Sequence, residues 1–399
     1  MSSRPHIVVI AIDRLGSGWL GPYGNTWVET PALNCLAAES LLSEFAISDA
    51  HDLATVYRSY WSGTPSWQRR LNGSPAIAQL ARSRGYETLL VTDAEEVAHH
   101  PQACDFEHID LLAWRQPART ADDPRRTRAA EVLTAAGEAL APSAKPKFLW
   151  VHAAAMNAAW DAPLELRERM AADDDPQPQQ FVEPPSLVLA HDYNPDQLLG
   201  IVQAYAAEVM SIDECLASFH TSIAAVCDPD QTLLIVTSPR GYALGEHLLV
   251  GSPGDGLRGE LLQVPLLVRL PGGVGKLSRI SSLLQPADVS KFVAAALAGD
   301  LTCGMMEAPA REVAIASSKH ELAFRTEHWF YRQTGDSDQR LVELYSKPDD
   351  RWEVNEVSQR AMDVVAAFDE LTTWVQASRE LPDSPNLPAL PETITDSRR

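Results

Sequence analysis

No stretch of this sequence is apolar for long enough to cross a bilayer, since its hydrophobic runs fall short of the ~18 residues a spanning helix needs. Positive charge is scarce: 33 Lys and Arg stand against 54 Asp and Glu, a formal net charge of -21. Such a chain repels nucleic acid and anionic membrane surfaces, so neither is expected as a partner, and an anionic ligand needs a local basic pocket. Cysteine is sparse. The five residues Cys35, Cys104, Cys215, Cys227 and Cys303 are odd in number, scattered and without metal-ligand spacing. They suggest neither a disulfide framework nor a zinc site, and point to a reducing compartment. No apolar leader precedes Pro5, and a cytoplasmic protein is expected. Internal repeats are absent, and the clustered glycines at 272–275 open no helix, so they do not suggest a phosphate-cradling loop.

What is present is a chain of 399 residues, 45% apolar, long enough for a full core and two domains. Residues 7–12 are continuously apolar and rich in β-branched side chains, the mark of a strand buried on both faces, and Asp13 follows at its carboxyl end. Active sites of open α/β sheets lie beyond such ends. Strands at 87–92, 147–152 and 232–237 alternate with helices near 31–39, 75–84, 128–140 and 196–224. The acidic, Pro- and Gln-rich segment at 171–185 reads as an exposed loop. From about residue 311 short strands recur at 312–317, 322–325, 329–333 and 341–345, with GDSD at 335–338 as a turn and a helix at 357–379. The expected fold class is α/β: a doubly wound, mostly parallel sheet with a smaller C-terminal antiparallel α+β subdomain. The boundaries are 1–305, 306–380 and, for an extended tail, 381–399.

The segment PHIVVIAIDRLGSGWLGPYGNTWVETPALNCLAAES, residues 5–40, resembles the opening of the sulfatases, members of the alkaline phosphatase superfamily. FLWVHAAAMNAAWDAP at 148–163, TLLIVTSPRGYALGEHLLVG at 232–251 and ELLQVPLLVRLPG at 260–272 resemble successive pieces of the same family. RTEHWFYR and VELYSKPDDRWEVNEVS are similar to its C-terminal pieces, so the resemblance runs over residues 5–375. It implies a calcium ion held by two aspartates after the first strand and by an Asp with His or Asn in an SDHG segment. The corresponding residues here are Asp13, Arg14, Pro239 and Arg240. Guanidinium groups neither deprotonate nor ligate a cation, so the family calcium is expected to be absent and no other cofactor is expected.

The resemblance also implies a Cys or Ser, oxidised to formylglycine, in a C-x-P-S-R motif ten residues before a T-G glycine. Counting back from Gly63 puts Leu53 at the nucleophile and Tyr57 at the motif's arginine, and no C-x-P-x-R surrounds any cysteine. Thr55 is the fallback nucleophile. The family's DPHxPW histidine corresponds to Asn157, the lysine after GEHG to Ser252, and His247 is retained. His247 and His152 have ordinary readings as hydrogen-bonded structural groups, and the pair His99 and His100 reads as a surface loop. Trp61, Trp67, Trp150 and Trp160 read as core and loop anchors, with Trp160 at a pocket rim, and Asp93 as a cleft residue or helix cap.

Two readings of Arg14 and Arg240 follow. In one, the guanidinium groups replace calcium and satisfy Asp13 structurally; in the other they also grip a sulfate, phosphate or carboxylate, with Arg58 as a third donor if it points inward. The expected protein is a sulfatase-like pseudoenzyme that binds an anionic small molecule, a sulfated glycan or a protein partner, as a homo-oligomer or beside an active homologue. The alternative is a sulfuric or phosphoric ester hydrolase with a non-standard active site.

Overall fold

The structure, a computed structural model, describes residues 4–68, 75–254, 256–300, 311–335, 340–379 and 386–395. Eight strands form the main sheet: β1 (His6–Ile12), β2 (Leu41–Ser43), β3 (Glu87–Thr92), β4 (His108–Leu111), β5 (Lys147–Ala153), β6 (Thr232–Thr237), β7 (Leu266–Arg269) and β8 (Ser278–Ile280). Their spatial order is β8-β2-β7-β6-β1-β5-β3-β4. β1 lies at the centre, parallel to both β5 and β6. Only β7 runs against its neighbours, so the sheet is mostly parallel.

Alternation along β1 explains the layering. Val8, Ile10 and Ile12 project into one apolar cluster, and Ile7 and Val9 into another on the opposite face. The first cluster is closed by helices α1 (Pro31–Ala38), α4 (Arg128–Ala139) and α5 (Pro195–Val226). The second is closed by α2 (Leu53–Ser62), α3 (Ile77–Ser83) and α6 (Pro286–Ala298). Helices on both faces are what a near-continuous apolar strand demands. Trp61, Trp150 and Trp160 are buried in these two clusters, so Trp160 is core and not rim. Asp93 caps no helix: its carboxylate accepts from Arg128 Nε at 3.0 Å and from the Ala154 amide at 2.8 Å.

The C-terminal subdomain is an antiparallel sheet of β9 (Ala314–Ser317), β10 (Glu321–Arg325), β11 (Trp329–Thr334) and β12 (Leu341–Ser346), followed by α7 (Met362–Arg379). One face, with Leu322, Phe324, Tyr331 and Leu344, packs on Phe368 and Leu371 of α7. The other, with Ala314, Ala323, Phe330 and Tyr345, packs on Ile47, Leu257, Leu262 and Leu283 of the large domain. The tail is not wholly extended as expected: Glu392–Thr395 form a helical turn whose Ile394 is fully buried against the first face, because an exposed isoleucine has apolar surface to lose. The turn expected at 335–338 falls, beyond Gly335, outside the described residues. Cys35, Cys104, Cys215 and Cys227 are free thiols, and Cys303 lies outside the described residues. Among the described residues no helix is long and apolar enough to cross a membrane.

Candidate functional site

Where β1 ends, the chain turns sharply. Asp13 still donates its amide to the Ala153 carbonyl of β5 at 2.9 Å, and Arg14 then adopts φ 62, a left-handed conformation that costs a non-glycine residue of order 1 kcal/mol. The turn is held from several sides. The Tyr205 hydroxyl of α5 donates to the Arg14 carbonyl at 2.8 Å and accepts the Gly16 amide at 2.9 Å. The Leu15 amide reaches the Ser238 hydroxyl, beyond the end of β6, at 3.2 Å. Two neighbouring strand ends thereby bring residues 13, 14 and 240 together.

Asp13 is wholly buried. Arg240 grips it with a fork, Nε to Oδ1 and a terminal nitrogen to Oδ2, both at 2.9 Å. Its third guanidinium nitrogen donates to the His51 carbonyl at 3.0 Å. Burial alone raises the Asp13 pKa, but the Arg240 fork, with Arg14 and His152 nearby, holds it below the ordinary carboxylate value. Arg14 is partnered differently. Its Nε donates to Asn157 Oδ1 at 2.7 Å, while one terminal nitrogen is buried with no acceptor. Among the described residues no carboxylate lies in ion-pair contact with Arg14. Burial first, and then the repulsion of Arg240, pull its pKa down to about 10, against the attraction of Asp13. It stays protonated at neutral pH. The centre thus holds two guanidinium groups and one carboxylate, with the exposed Asn157 in contact with Arg14 at its edge.

The helix α2 supplies the wall. Leu53 and Tyr57 are buried; Leu53 offers no nucleophilic atom, and the Tyr57 hydroxyl meets His152 Nδ1 at 2.6 Å. His152 is therefore satisfied on one nitrogen only, its buried Nε2 lacking a partner. Thr55, half-buried, sits in the first turn with its amide on the Asp52 cap at 2.8 Å. Arg58 does not join the centre: a terminal nitrogen donates to the Ser66 carbonyl at 2.6 Å, toward Asp49. One residue beyond Tyr57 is a 100° rotation on a helix, enough to turn the side chain away from the sheet. His100 is not at the surface either; its Nε2 lies 3.1 Å from the Ala54 carbonyl, while His99 is exposed.

Pro239 contributes only a carbonyl, which accepts from the Ser48 hydroxyl at 2.6 Å. Ser252 lies in hydrogen-bond contact with His51 Nε2. That pairing joins residues 201 apart in the chain, and no local sequence signal could have revealed it. His247 pairs with carboxylates other than Asp13. Its Nδ1 meets Glu260 at 3.2 Å and its Nε2 lies 4.0 Å from Glu353. Burial lowers its pKa, but the two carboxylates more than reverse this and raise it. His247, Glu260 and Glu353 offer three ligand-type atoms within 4.8 Å of one another, the one such group among the described residues. Lys347 Nζ already holds Glu353 at 3.0 Å.

A doubly wound α/β chain with its polar centre at the carboxyl ends of adjacent strands is built as the alkaline phosphatase superfamily is built. The family model described as Sulfatase matches residues 5–299, and the chain belongs to the sulfatase family. The structure resembles the phosphonate monoester hydrolase of Agrobacterium radiobacter with a TM-score of 0.74 at 17% identity, over 94% of this chain and 96% of that one. BT4656, solved with its substrate D-glucosamine-2-N,6-O-disulfate, gives 0.76 at 14% identity, over 96% and 99%. BT1596, a 2-O GAG sulfatase, gives 0.71 at 13% identity, over 98% and 96%. At these identities the likeness is one of fold. No curated protein matches the sequence.

Proposed function

We propose that this member of the sulfatase family is a noncatalytic receptor for a small anionic group, sulfate or a sulfated sugar foremost, with Arg14 as the cation that takes it. The observation that carries this reading is the Arg14 guanidinium: nearly buried, charged, and left with a donor nitrogen that has no acceptor. An uncompensated buried charge is costly, and a tetrahedral oxyanion at the mouth beside Asn157 supplies both the charge and the acceptors. The same residues do not suit calcium. A hard dication needs six to eight oxygen ligands, whereas both Asp13 oxygens are engaged by Arg240 and positions 14, 239 and 240 bring no side-chain oxygen. The likeness in fold to BT4656, solved with its substrate D-glucosamine-2-N,6-O-disulfate, supports the class of ligand.

The test is thermal denaturation in inorganic sulfate and in sulfated monosaccharides, with chloride matched for ionic strength. A rise in Tm with sulfate that disappears in Arg14→Gln is the expected result. Turnover of aryl sulfates that depends on added calcium overturns the reading.

One contact favours a second reading, a hydrolase of unfamiliar design. A serine hydroxyl against an imidazole is the arrangement of a base-activated nucleophile, and His51 and Ser252 form it beside Arg240. Turnover of aryl sulfates or aryl phosphates without metal, abolished by Ser252→Ala and retained by Thr55→Ala, is its signature.

A further inference from the structure

Where the C-terminal sheet meets the large domain, the two surfaces enclose a cavity of about 340 Å³. This is within the size range of small-molecule sites. None of Asp13, Arg14, Asn157 or Arg240 lines it, although Gly16 and Tyr242, which adjoin the Arg14 turn, do, so it neighbours the centre described above without including its charged groups. Its position follows from the alternation along β10. Leu322 and Phe324 face α7, Ala323 faces the large domain, and Arg325, two residues on, lines the cavity. The same face carries a second buried cation, Arg332, but that one is held by Glu321 and Glu343, as a buried charge requires.

Most of the carboxylates around the cavity are paired with a cation. Glu353 is held by Lys347 at 3.0 Å, Glu44 by Arg279 at 3.6 Å and Glu260 by His247 at 3.2 Å. Arg351 stacks over the Trp352 ring at 5.2 Å. Arg325 is 7% exposed, and among the described residues its guanidinium has no hydrogen bond and no ion pair. Its one close partner is the Phe45 ring, 5.4 Å from the guanidinium carbon, which leaves the nitrogen donors at the edge unused. One terminal nitrogen is fully buried without an acceptor. Burial brings the pKa of Arg325 to about 10, against the attraction of Glu353 and Glu327, so the group is a cation at neutral pH.

We infer that this cavity binds a monoanionic sugar, a sugar acid or sugar sulfate, whose charged group docks on Arg325. The guanidinium fork matches two oxygens of a carboxylate or sulfate. Trp19 gives flat apolar surface for a sugar ring, with Trp352 at the rim, 59% exposed. Glu246 and Glu260 also line the cavity and offer acceptor oxygens to hydroxyl groups, and the same carboxylates repel a second negative charge. This pairing selects a monoanion over a phosphate dianion and a hydroxylated ring over a simple aromatic acid. The site stands whether or not Arg14 binds an anion.

Isothermal titration of the full chain with glucuronate, glucose 6-sulfate, glucose 6-phosphate and glucose tests this. One or both of the first two bind saturably. Glucose binds at least about tenfold more weakly, as loss of a charge-assisted pair requires, and the phosphate more weakly than the monoanions. Which monoanion binds tighter tells the carboxylate source from the sulfate source. Arg325→Gln lowers the affinity of the better ligand by at least about tenfold, and Trp352→Ala lowers it several-fold. The apo Arg325→Met protein melts no lower than the parent, since the substitution removes an unpaired buried charge. Binding of glucose equal to that of the acids, absence of saturable binding by both monoanions, or undiminished binding by Arg325→Gln overturns the inference. Should the Arg325 variants fail to fold, undiminished binding by Trp352→Ala overturns it on its own.

Discussion

Asp13 and Arg240 form the pair on which the site depends, and the physics of buried ion pairs says how they respond to change. Removing one member strands the other charge in a medium that cannot solvate it, at a cost of about 3–5 kcal/mol, whereas replacing both with apolar side chains is often neutral. Arg240→Ala is therefore expected to lower the urea midpoint strongly. The double variant Asp13→Leu with Arg240→Met is expected to recover most of the loss. The depressed pKa of Asp13 fixes the sign with pH: its contribution is present above the unfolded carboxylate pKa, about 3.9, and disappears as pH falls through the lower folded value. Asp49 behaves oppositely. Burial pushes it up to about 6, offset in part by the nearby Ser59 hydroxyl and by the hydrogen bond from the Ser66 amide, and its Oδ1 is buried with no partner. A raised folded pKa gives stability that is present below the unfolded value and is lost as pH rises through about 6. Asp49→Asn removes that loss. Its melting temperature, compared with the parent at pH 5 and pH 7.5, is expected to fall less between the two.

At the scale of the element, α2 shows what a sequence reveals and what it hides. The β1 strand was legible because both faces are buried, which leaves a continuous apolar run, and its strand-end acid marked the location of the centre. The two C-terminal sheet faces were legible from alternation, although their partners were not. Whether Arg58 points inward is not legible in the sequence, because neighbouring helix positions differ by 100°, and its tertiary contact with the Ser66 carbonyl decides the direction. His51 with Ser252, and the unpartnered edge of Arg325, arise from contacts across the fold, which no local pattern encodes. The phase of α2 is anchored at its first residue, where the Asp52 carboxylate caps the Thr55 amide, and at its last, where Gly63 closes the helix at φ 67. Asp52→Ala is expected to cost about 1 kcal/mol in chemical denaturation. Because that helix carries Tyr57 against His152, the loss appears without change in the Asp13 to Arg240 contact.

For the whole molecule, the question is whether the C-terminal sheet behaves as a domain of its own. Its four strands are covered on both faces, but by different things: α7 and the residue 394 turn on one side, the large domain on the other. The large domain also reaches round to the far face. Trp67, in the loop that follows α2, is 2% exposed within the α7 cluster, its ring 5.6 Å from that of Trp374. The sheet is thus clasped between two parts of the large domain, and neither of its faces is complete without them. A subdomain with one apolar surface closed by its neighbour and the other completed by that neighbour's tryptophan has no separate folded state of appreciable stability, so calorimetry of the parent chain is expected to show one transition, with van't Hoff and calorimetric enthalpies equal. Trp67→Ala opens a cavity at one side of the clasp and is expected to cost about 3–5 kcal/mol. Because the cost falls on the junction and not within either core, the same variant is expected to split the endotherm, the C-terminal sheet and α7 melting first. Two transitions in the parent, or one unshifted transition in Trp67→Ala, would show that the sheet folds without the large domain's tryptophan.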